Sequence, residues 1–304
     1  MSVPAQPVSG LLAYLGILRF VGPDSLSFLQ GQVSNDTRLL AQGRSLLAAH
    51  SSPQGRVLAL LRILPHSNGV SAILPRELVV PTLEALRKFV LRAKVKIEDA
   101  SDALRVVGVH GAHRLESAGL AAPPSSTASE AHGLGVAAVN GDSGRYWVIG
   151  PEETLSQRGL GPGVASAEQI ERDWRLADIR AGLPQIYLTT REAFVAQMLN
   201  LDLLDGISFT KGCYTGQEII ARTQHRGRIK RRLYRLRLPP GEWQVGQTLR
   251  LTDGRSGRVT EAVSVAGGFE ALAVLNVEPA DGEAEPGAAV AADPLPLPYA
   301  LQVP

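Results

Sequence analysis

The sequence predicts an α+β protein of about two domains, and three observations carry the prediction. Strands and helices are mixed without the regular alternation of a doubly wound parallel sheet. Residues 228–304 instead show short apolar runs between Gly and Pro turns, an all-β pattern that reads most simply as a small barrel. At 304 residues the chain exceeds one typical domain and can bury a core without staples.

Residues 11–20 are apolar and strand-like. Gly22-Pro23-Asp24 is a turn and a helix start, followed by an apolar face of Leu26, Phe28 and Leu29 that ends at Gly31. Residues 46–50 and 56–64 read as strands, separated by the turn composition of Ser51-Ser52-Pro53-Gln54-Gly55. Asn68-Gly69 is a hairpin turn leading into a strand at 70–74. Pro81 stands near the start of a helix carrying Leu83, Leu86 and Val90, and Val95 and Ile97 read as a closing strand. Residues 104–109 and 146–149 are again strand-like, with 121–129 a surface loop rich in Pro and Ser. Residues 166–182 read as a helix with Ile170, Trp174, Ala177 and Ala181 on one side, ended by Gly182-Leu183-Pro184. The C-terminal strands are 233–238, 248–251, 258–265 and 272–277. Residues 294–299 are too proline-rich for a central strand or a helix.

Apolar residues make up 44% and charged residues 20%, which excludes global disorder. No apolar run approaches the ~18–20 residues of a membrane span. The longest, residues 10–18, follows no basic stretch, so no secretory signal is expected. Net charge is +2, but residues 222–237 hold eight basic residues and no acid, and residues 259–304 seven acids and no base. Arg outnumbers Lys 26 to 5.

Cys213 is the only cysteine, so no intrachain disulfide can form and a reducing cytoplasm is the expected location. A four-cysteine zinc site and a self-contained all-cysteine iron–sulfur cluster are excluded. The six histidines show no HExxH or paired spacing, so no resident metal is expected. There is no Walker A loop and no GxGxxG, which excludes the usual nucleotide-driven enzymes.

One segment concentrates chemistry, residues 200–222. Thr215 and Glu218 have capping-box spacing before Ile219 and Ile220, which predicts a helix start. Cys213 would then sit near a helix N-terminus beside Lys211, and both would favour a thiolate. The flanking glycines let a ligand approach the backbone. On local context alone a lone cysteine reads equally as a small buried filler. His225 is the nearest histidine in sequence, with no evident group to orient a Cys–His pair. The basic run 222–232 suits nucleic acid, a polycarboxylate tail or a solvated junction. With Tyr234 its only aromatic neighbour, it makes a poor stacking platform. In FLQGQVSND (28–36) an amide-rich stretch ends in a carboxylate, which suits hydrogen bonding to a heterocycle; Asn35-Asp36 also reads as a turn.

Together these residues resemble a known family. KGCYTGQEIIARTQHRG (211–227) resembles the signature of the YgfZ folate-binding proteins. FLQGQVSNDT (28–37) resembles their QGQV-x-x-D element, PQGRVLALLRI (53–63) their second element, and GISFTKGCYTGQE (206–218) and PLPYAL (296–301) are similar too. The resemblance spans nearly the whole chain. The family is related to the glycine-cleavage T-protein, an aminomethyltransferase that uses tetrahydrofolate. The resemblance therefore implies a T-protein-like three-lobed arrangement: two ferredoxin-like α+β lobes around a central channel plus a C-terminal β-barrel. Residues 1–226 would form the folate module, with interwoven lobes at roughly 1–102 and 103–226, and residues 227–304 the barrel.

The function implied is that of a folate-binding accessory protein for assembly or repair of iron–sulfur enzymes, including a tRNA-methylthiolating enzyme. Its cofactor would be tetrahydrofolate or a related reduced folate. Its partners would be iron–sulfur assembly or client proteins, with no membrane and no direct nucleic-acid binding. Cys213 would be a redox or cluster-handling thiol. Gln32, Asp36, Lys211, Tyr214, Gln217, Glu218, Arg222 and Arg226 would surround the folate, with Arg222 or Arg226 meeting its glutamate tail.

Two positions depart from the pattern. Where the T-protein carries an essential Asp in a Gly-Gly-Ile-Leu-Asp-Asp-type run, this chain has Gly55-Arg56-Val57-Leu58-Ala59-Leu60, with no group to handle a proton at the folate nitrogen. Where some relatives carry an acid facing the pteridine, this chain has Arg180, with Asp178 two residues earlier. The alternatives are a tetrahydrofolate-dependent aminomethyltransferase-like enzyme and an RNA-binding module using residues 222–237.

Overall fold

The computed structural model describes residues 9–142, 144–161, 165–226, 229–279 and 289–301, with the backbone alone for His225 and Arg226. The chain divides into two compact units. One comprises Met1–Ala48 with Leu61–Trp174, the other Ala49–Leu60 with Arg175–Pro304.

The apolar run at 11–20 is two strands rather than one. β1 (Gly10–Leu11) and β2 (Leu15–Val21) are separated by a turn in which the Leu15 N–H donates to the Leu12 carbonyl at 3.0 Å. The two then join different sheets. β2 leads to α1 (Ser25–Gln30), β3 (Leu46–Ser51), β4 (Val57–His66), β5 (Gly69–Pro75), α2 (Val79–Arg87) and β6 (Lys96–Asp99). Their antiparallel sheet runs β3-β4-β5-β2-β6. Without the edge strand β3 this is a βαββαβ path with its last strand beside its first, the ferredoxin-like order. Alternation puts Phe20 against Phe28 of α1, with ring centroids 6.4 Å apart. Val79, Thr82, Leu83 and Leu86 form the buried stripe of α2.

A second sheet repeats the plan. β7 (Arg105–His110), α3 (Ala112–Ser117), β8 (Ala128–Ala131), β9 (Leu134–Ala138), β10 (Arg145–Gly150) and α4 (Glu152–Gln157) follow in order. The sheet runs β1-β7-β10-β9-β8, so β1 takes the place beside β7 that a strand after α4 would hold. Its outer face packs Val107, Val109, Val136, Tyr146 and Val148 against Leu115 and Leu155 of the two helices. The surface loop expected at 121–129 ends early, because Ala128 and Ser129 pair with β9 as part of β8.

α5 (Ala167–Ala181) buries Ile170, Trp174 and Ile179, and the boundary between the units falls within it. The second unit holds α6 (Gln217–Arg226) and the strands β11 (Arg231–Leu238), β12 (Thr248–Arg250), β13 (Ser256–Val265), β14 (Gly268–Asn276) and β15 (Asp293–Leu295). They form an antiparallel sheet in the order β12-β13-β14-β11-β15 around Leu236, Leu249, Val259, Ala273 and Leu275. Among the described residues this C-terminal sheet does not close. β12 and β15 are its edges, joined at one end where Leu251 bridges Val290 ahead of β15. Pro294, which cannot donate to a ladder, lies on the edge strand β15. No helix among the described residues is long and apolar enough to cross a membrane.

Candidate functional site

In the second unit the segment before α6 is fastened from several directions. Asn200 follows a turn of 3-10 helix (Ala196–Leu199) in the left-handed region at φ 58°. Its amide donates to the Leu233 carbonyl at 2.9 Å and its oxygen accepts the Leu233 N–H at 3.3 Å. The Gln197 amide donates to the Ile220 carbonyl at 2.7 Å. Arg232, 2% exposed, forms a two-point pair with Asp202 at 2.6 and 2.9 Å and also donates to the Gln197 carbonyl. These bonds clamp residues 196–202 to β11 and α6.

The loop that follows carries the predicted residues. Cys213 is exposed. Lys211 is 5% exposed, with its Nζ 4.9 Å from the centre of the Tyr214 ring. Burial pushes the Tyr214 hydroxyl up to about 12, so it stays a neutral donor at physiological pH. Gln217 closes on Tyr214 twice: its N–H donates to the Tyr214 carbonyl and its side-chain oxygen accepts the Tyr214 N–H, both at 3.1 Å. The capping box expected from Thr215 and Glu218 does not form. Gly216, at φ 83°, turns the chain and supplies the first helical acceptor, and α6 starts at Gln217. The Glu218 carboxylate instead meets Arg222 at 3.0 Å on the exposed face. Cys213 therefore lies in the loop rather than in the first turn, where the helix dipole acts. The side chain of Arg226, and that of His225, lie outside the described residues.

Two glycines let the PQG turn (53–55) lie against the start of the signature helix. A Cβ on Gly216 would sit 2.6 Å from the Ser52 carbonyl, and one on Gly55 2.8 Å from Ile219 Cβ. The β3–β4 turn thus packs backbone to backbone on the start of α6. Gly216→Ala should cost about 2 kcal/mol, from the left-handed strain and the clash. A lower urea midpoint with an unchanged slope would register it.

In the first unit the amide-rich segment is mostly spent on itself. The Gln30 oxygen accepts from the Thr37 N–H and hydroxyl at 2.8 and 2.7 Å, and the Asn35 amide donates to the Leu47 carbonyl at 2.9 Å. The Asp36 carboxylate caps a 3-10 helix (Thr37–Gln42) through the Arg38 N–H and pairs with the Arg38 guanidinium, whose hydrogen bonds hold its pKa at about 2. Gln32 differs: its side chain is buried and its Oε1 has no donor among the described residues.

The aromatic layer of the first unit was not among the residues predicted from the sequence. Because Tyr146 and Val148 face the helices, Trp147 faces the opposite side of β10. The Arg62 guanidinium stands 5.7 Å from its ring centre, and the Trp174 ring 6.2 Å away. Gly108 makes room for Trp174, since a Cβ there would come within 2.4 Å of the indole. Arg145 covers the Trp174 ring at 4.7 Å. The Trp147 Nε1 is buried without an acceptor among the described residues. An isolated tryptophan in a strand carries no signal in sequence; only the two-residue alternation around it does. A cavity of about 660 Å³ opens by the β4–β5 turn, lined by Val21, Leu26, Leu40, Pro65, His66 and Val70, and includes none of the predicted residues.

Arg180, at the position where an acid was expected, pairs with Glu270 of β14 at 2.9 and 3.2 Å, and Arg235 joins the same carboxylate at 2.7 Å. Ala59 and Leu60, where the resemblance led to the comparison with the T-protein carboxylates, are fully buried apolar side chains.

No family model matches the sequence. The chain is 35% identical over 277 residues to the tRNA-modifying protein YgfZ of Edwardsiella ictaluri, covering 86% of this chain and 82% of that one. It is 36% identical over 253 residues to the YgfZ of Pectobacterium carotovorum, covering 81% and 75%. It is 31% identical over 248 residues to that of Hamiltonella defensa, covering 80% and 71%. Among solved structures it is similar to the glycine cleavage system aminomethyltransferase T of Bartonella henselae, with a TM-score of 0.58 at 15% identity over 89% of this chain and 79% of that one. The T-protein-like fold is thereby established.

Proposed function

Because the chain belongs to the YgfZ family, we propose that it is a folate-binding accessory protein for the assembly or repair of iron–sulfur enzymes, a tRNA-methylthiolating enzyme among them. The observation that carries this reading is an exposed thiol in a firmly held loop. Cys213 stands free while Lys211, Tyr214 and Gln217 around it are packed or bonded. A single thiol per chain suits transient handling of a cluster as substrate, not its permanent ownership.

The residues present fit a reduced pterin. Gln32 Oε1 is a buried acceptor in want of a donor, and Trp147 Nε1 a buried donor in want of an acceptor. A pterin ring offers both kinds of group, and leaving either atom unpaired costs about 1–3 kcal/mol. When bound, the folate would supply one-carbon or redox chemistry. Gln32 Oε1 would accept from it, or Trp147 Nε1 donate to it, according to which of the two it reaches. Asp36 would hold the QGQV loop through Arg38 rather than touch the ligand.

Two alternatives lose support. Aminomethyl transfer lacks a carboxylate at Ala59 or Leu60. An RNA-binding use of residues 222–237 would need free cations. Arg232 and Arg235 are held by the buried carboxylates of Asp202 and Glu270, and Arg231 by Asn276.

Anaerobic calorimetry of tetrahydrofolate binding to the purified protein tests the cofactor. Saturable single-site binding is expected; its absence at physiological folate would remove folate from the mechanism. Cys213→Ser tests the thiol. The exposed side chain predicts unchanged stability and folate affinity, with loss of tRNA methylthiolation when the variant is expressed in a strain lacking its own relative. Full rescue by the serine variant would end the thiol's role.

A further inference from the structure

We infer that the outer face of α2 and the turn leading to β6 form a docking surface for a protein partner that presents an apolar depression rimmed by carboxylates. Five large hydrophobic side chains are exposed among the described residues, and three lie here: Val80 at 54%, Phe89 at 46% and Leu91 at 86%. They are not overflow from the helix's own core, because Val79, Thr82, Leu83 and Leu86 already fill that stripe. On α2, Val80, Glu84 and Arg87 recur every three or four residues along one outer face, and Phe89 and Leu91 follow in the turn after the helix. From Val80 to Arg87 that face is about 10 Å long at 1.5 Å per residue.

Around these apolar groups stand Arg87, Lys88, Arg92, Lys94 and Lys96, all exposed, with no acid from Arg87 to Lys96. Three of the chain's five lysines fall in this stretch, although arginine dominates elsewhere. Lys96 meets Glu98 at 2.6 Å and Arg87 donates to the Ile97 carbonyl at 3.2 Å. The side chains of Lys88, Arg92 and Lys94 make no such contact among the described residues. An aromatic and two aliphatic anchors beside the exposed cations Lys88, Arg92 and Lys94 have the anatomy of a protein interface, and these cations select a partner of opposite charge.

The chemistry favours a protein over the other anionic macromolecules. Aliphatic side chains gain little on RNA, where of the three only Phe89 can stack. Exposed Glu84 on α2 and Asp99 at the end of β6 stand beside the cations, so the surface carries both signs, unlike the uniformly anionic backbone of RNA or an anionic lipid surface. A protein of mixed charge can match both signs.

The inference rests on the family reading only for its cellular readout. The experiment uses the full-length chain in a bacterium lacking its own relative. A photoreactive p-benzoylphenylalanine replaces Leu91, with and without the triple reversal Lys88→Glu, Arg92→Glu and Lys94→Glu. The expected result is an adduct that is protease-sensitive and RNase-resistant, and that falls about ten-fold in the charge-reversed chain. In parallel, Phe89→Asp with Leu91→Asp should lower rescue of tRNA modification about ten-fold or more. Its folate binding and Tm should stay those of the unaltered chain. Full rescue by both the apolar and the charge variants would overturn the surface. An RNase-sensitive adduct, or one to lipid alone, would overturn the protein partner. If the unaltered chain does not rescue, the family reading fails instead, and the adduct with its charge dependence still decides the surface.

Discussion

Acidification from pH 7 to pH 4 should cost the protein about 3 kcal/mol of stability through His50 alone. His50 lies on β3, is 1% exposed, and its Nδ1 has no partner among the described residues. Burial first, and then the positive charge of Arg191, lowers its pKa to about 4. In the unfolded chain the ordinary value of about 6.5 applies. Between the two values the unfolded state binds the proton and the folded state does not, so stability rises with pH across that window. It is fully present above about 6.5 and is lost as pH falls towards 4. At roughly 1.4 kcal/mol per pH unit the gap amounts to about 3 kcal/mol. Asp36 acts lower: its depressed pKa of about 2 makes its contribution complete above the ordinary carboxylate range and lost only as pH falls from about 4 to 2. Urea midpoints at pH 7, 5.5, 4 and 2.5 separate the two groups. In His50→Gln the loss between pH 6.5 and 4 should flatten. An unchanged slope in that variant would show that His50 is not the titrating group.

Arg232→Met should destabilise the protein by about 3–5 kcal/mol, because it leaves the Asp202 carboxylate buried without its cation. The pair is almost wholly withdrawn from water, at 2% and 7% side-chain exposure. The same guanidinium holds the Gln197 carbonyl at 3.0 Å, so its loss also loosens the loop that leads to Cys213. The double variant Arg232→Met with Asp202→Asn removes the stranded charge and should recover part of the loss. Recovery separates the cost of an unpaired carboxylate from the cost of lost packing. A double variant as unstable as the single one would assign the effect to packing.

Much of the fold was legible in the sequence because its punctuation is local. Pro23, Asn68-Gly69, Pro81 and Gly182 mark turns and ends through their own backbone preferences, and each stands where an element starts or stops. The apolar run at 11–20 misled for the same reason. Hydropathy does not register that Leu12 turns the chain, nor that β1 and β2 serve separate sheets. The capping-box reading failed because Gly216 in its left-handed conformation outcompetes Thr215 as the cap. That conformation follows from the β3–β4 turn packed against it, some 160 residues earlier in sequence.

The candidate site divides along the same line. Residue identity alone established a single thiol, the absence of a carboxylate at Ala59 and Leu60, and the signature 211–227. Those are properties of side chains, and no partner is needed to state them. Which of the polar residues are committed depended on where each side chain ends. Asp36 is taken by Arg38, Glu218 by Arg222, and Arg180 by Glu270, while Gln32 and Trp147 keep buried polar atoms unpaired among the described residues. Trp147, Trp174 and Arg62 are far apart in sequence, and only the pairing of strands and the bareness of Gly108 brings them into one layer. Hydrogen bonds and desolvation act over a few ångströms in space, and the linear order of residues does not encode those distances.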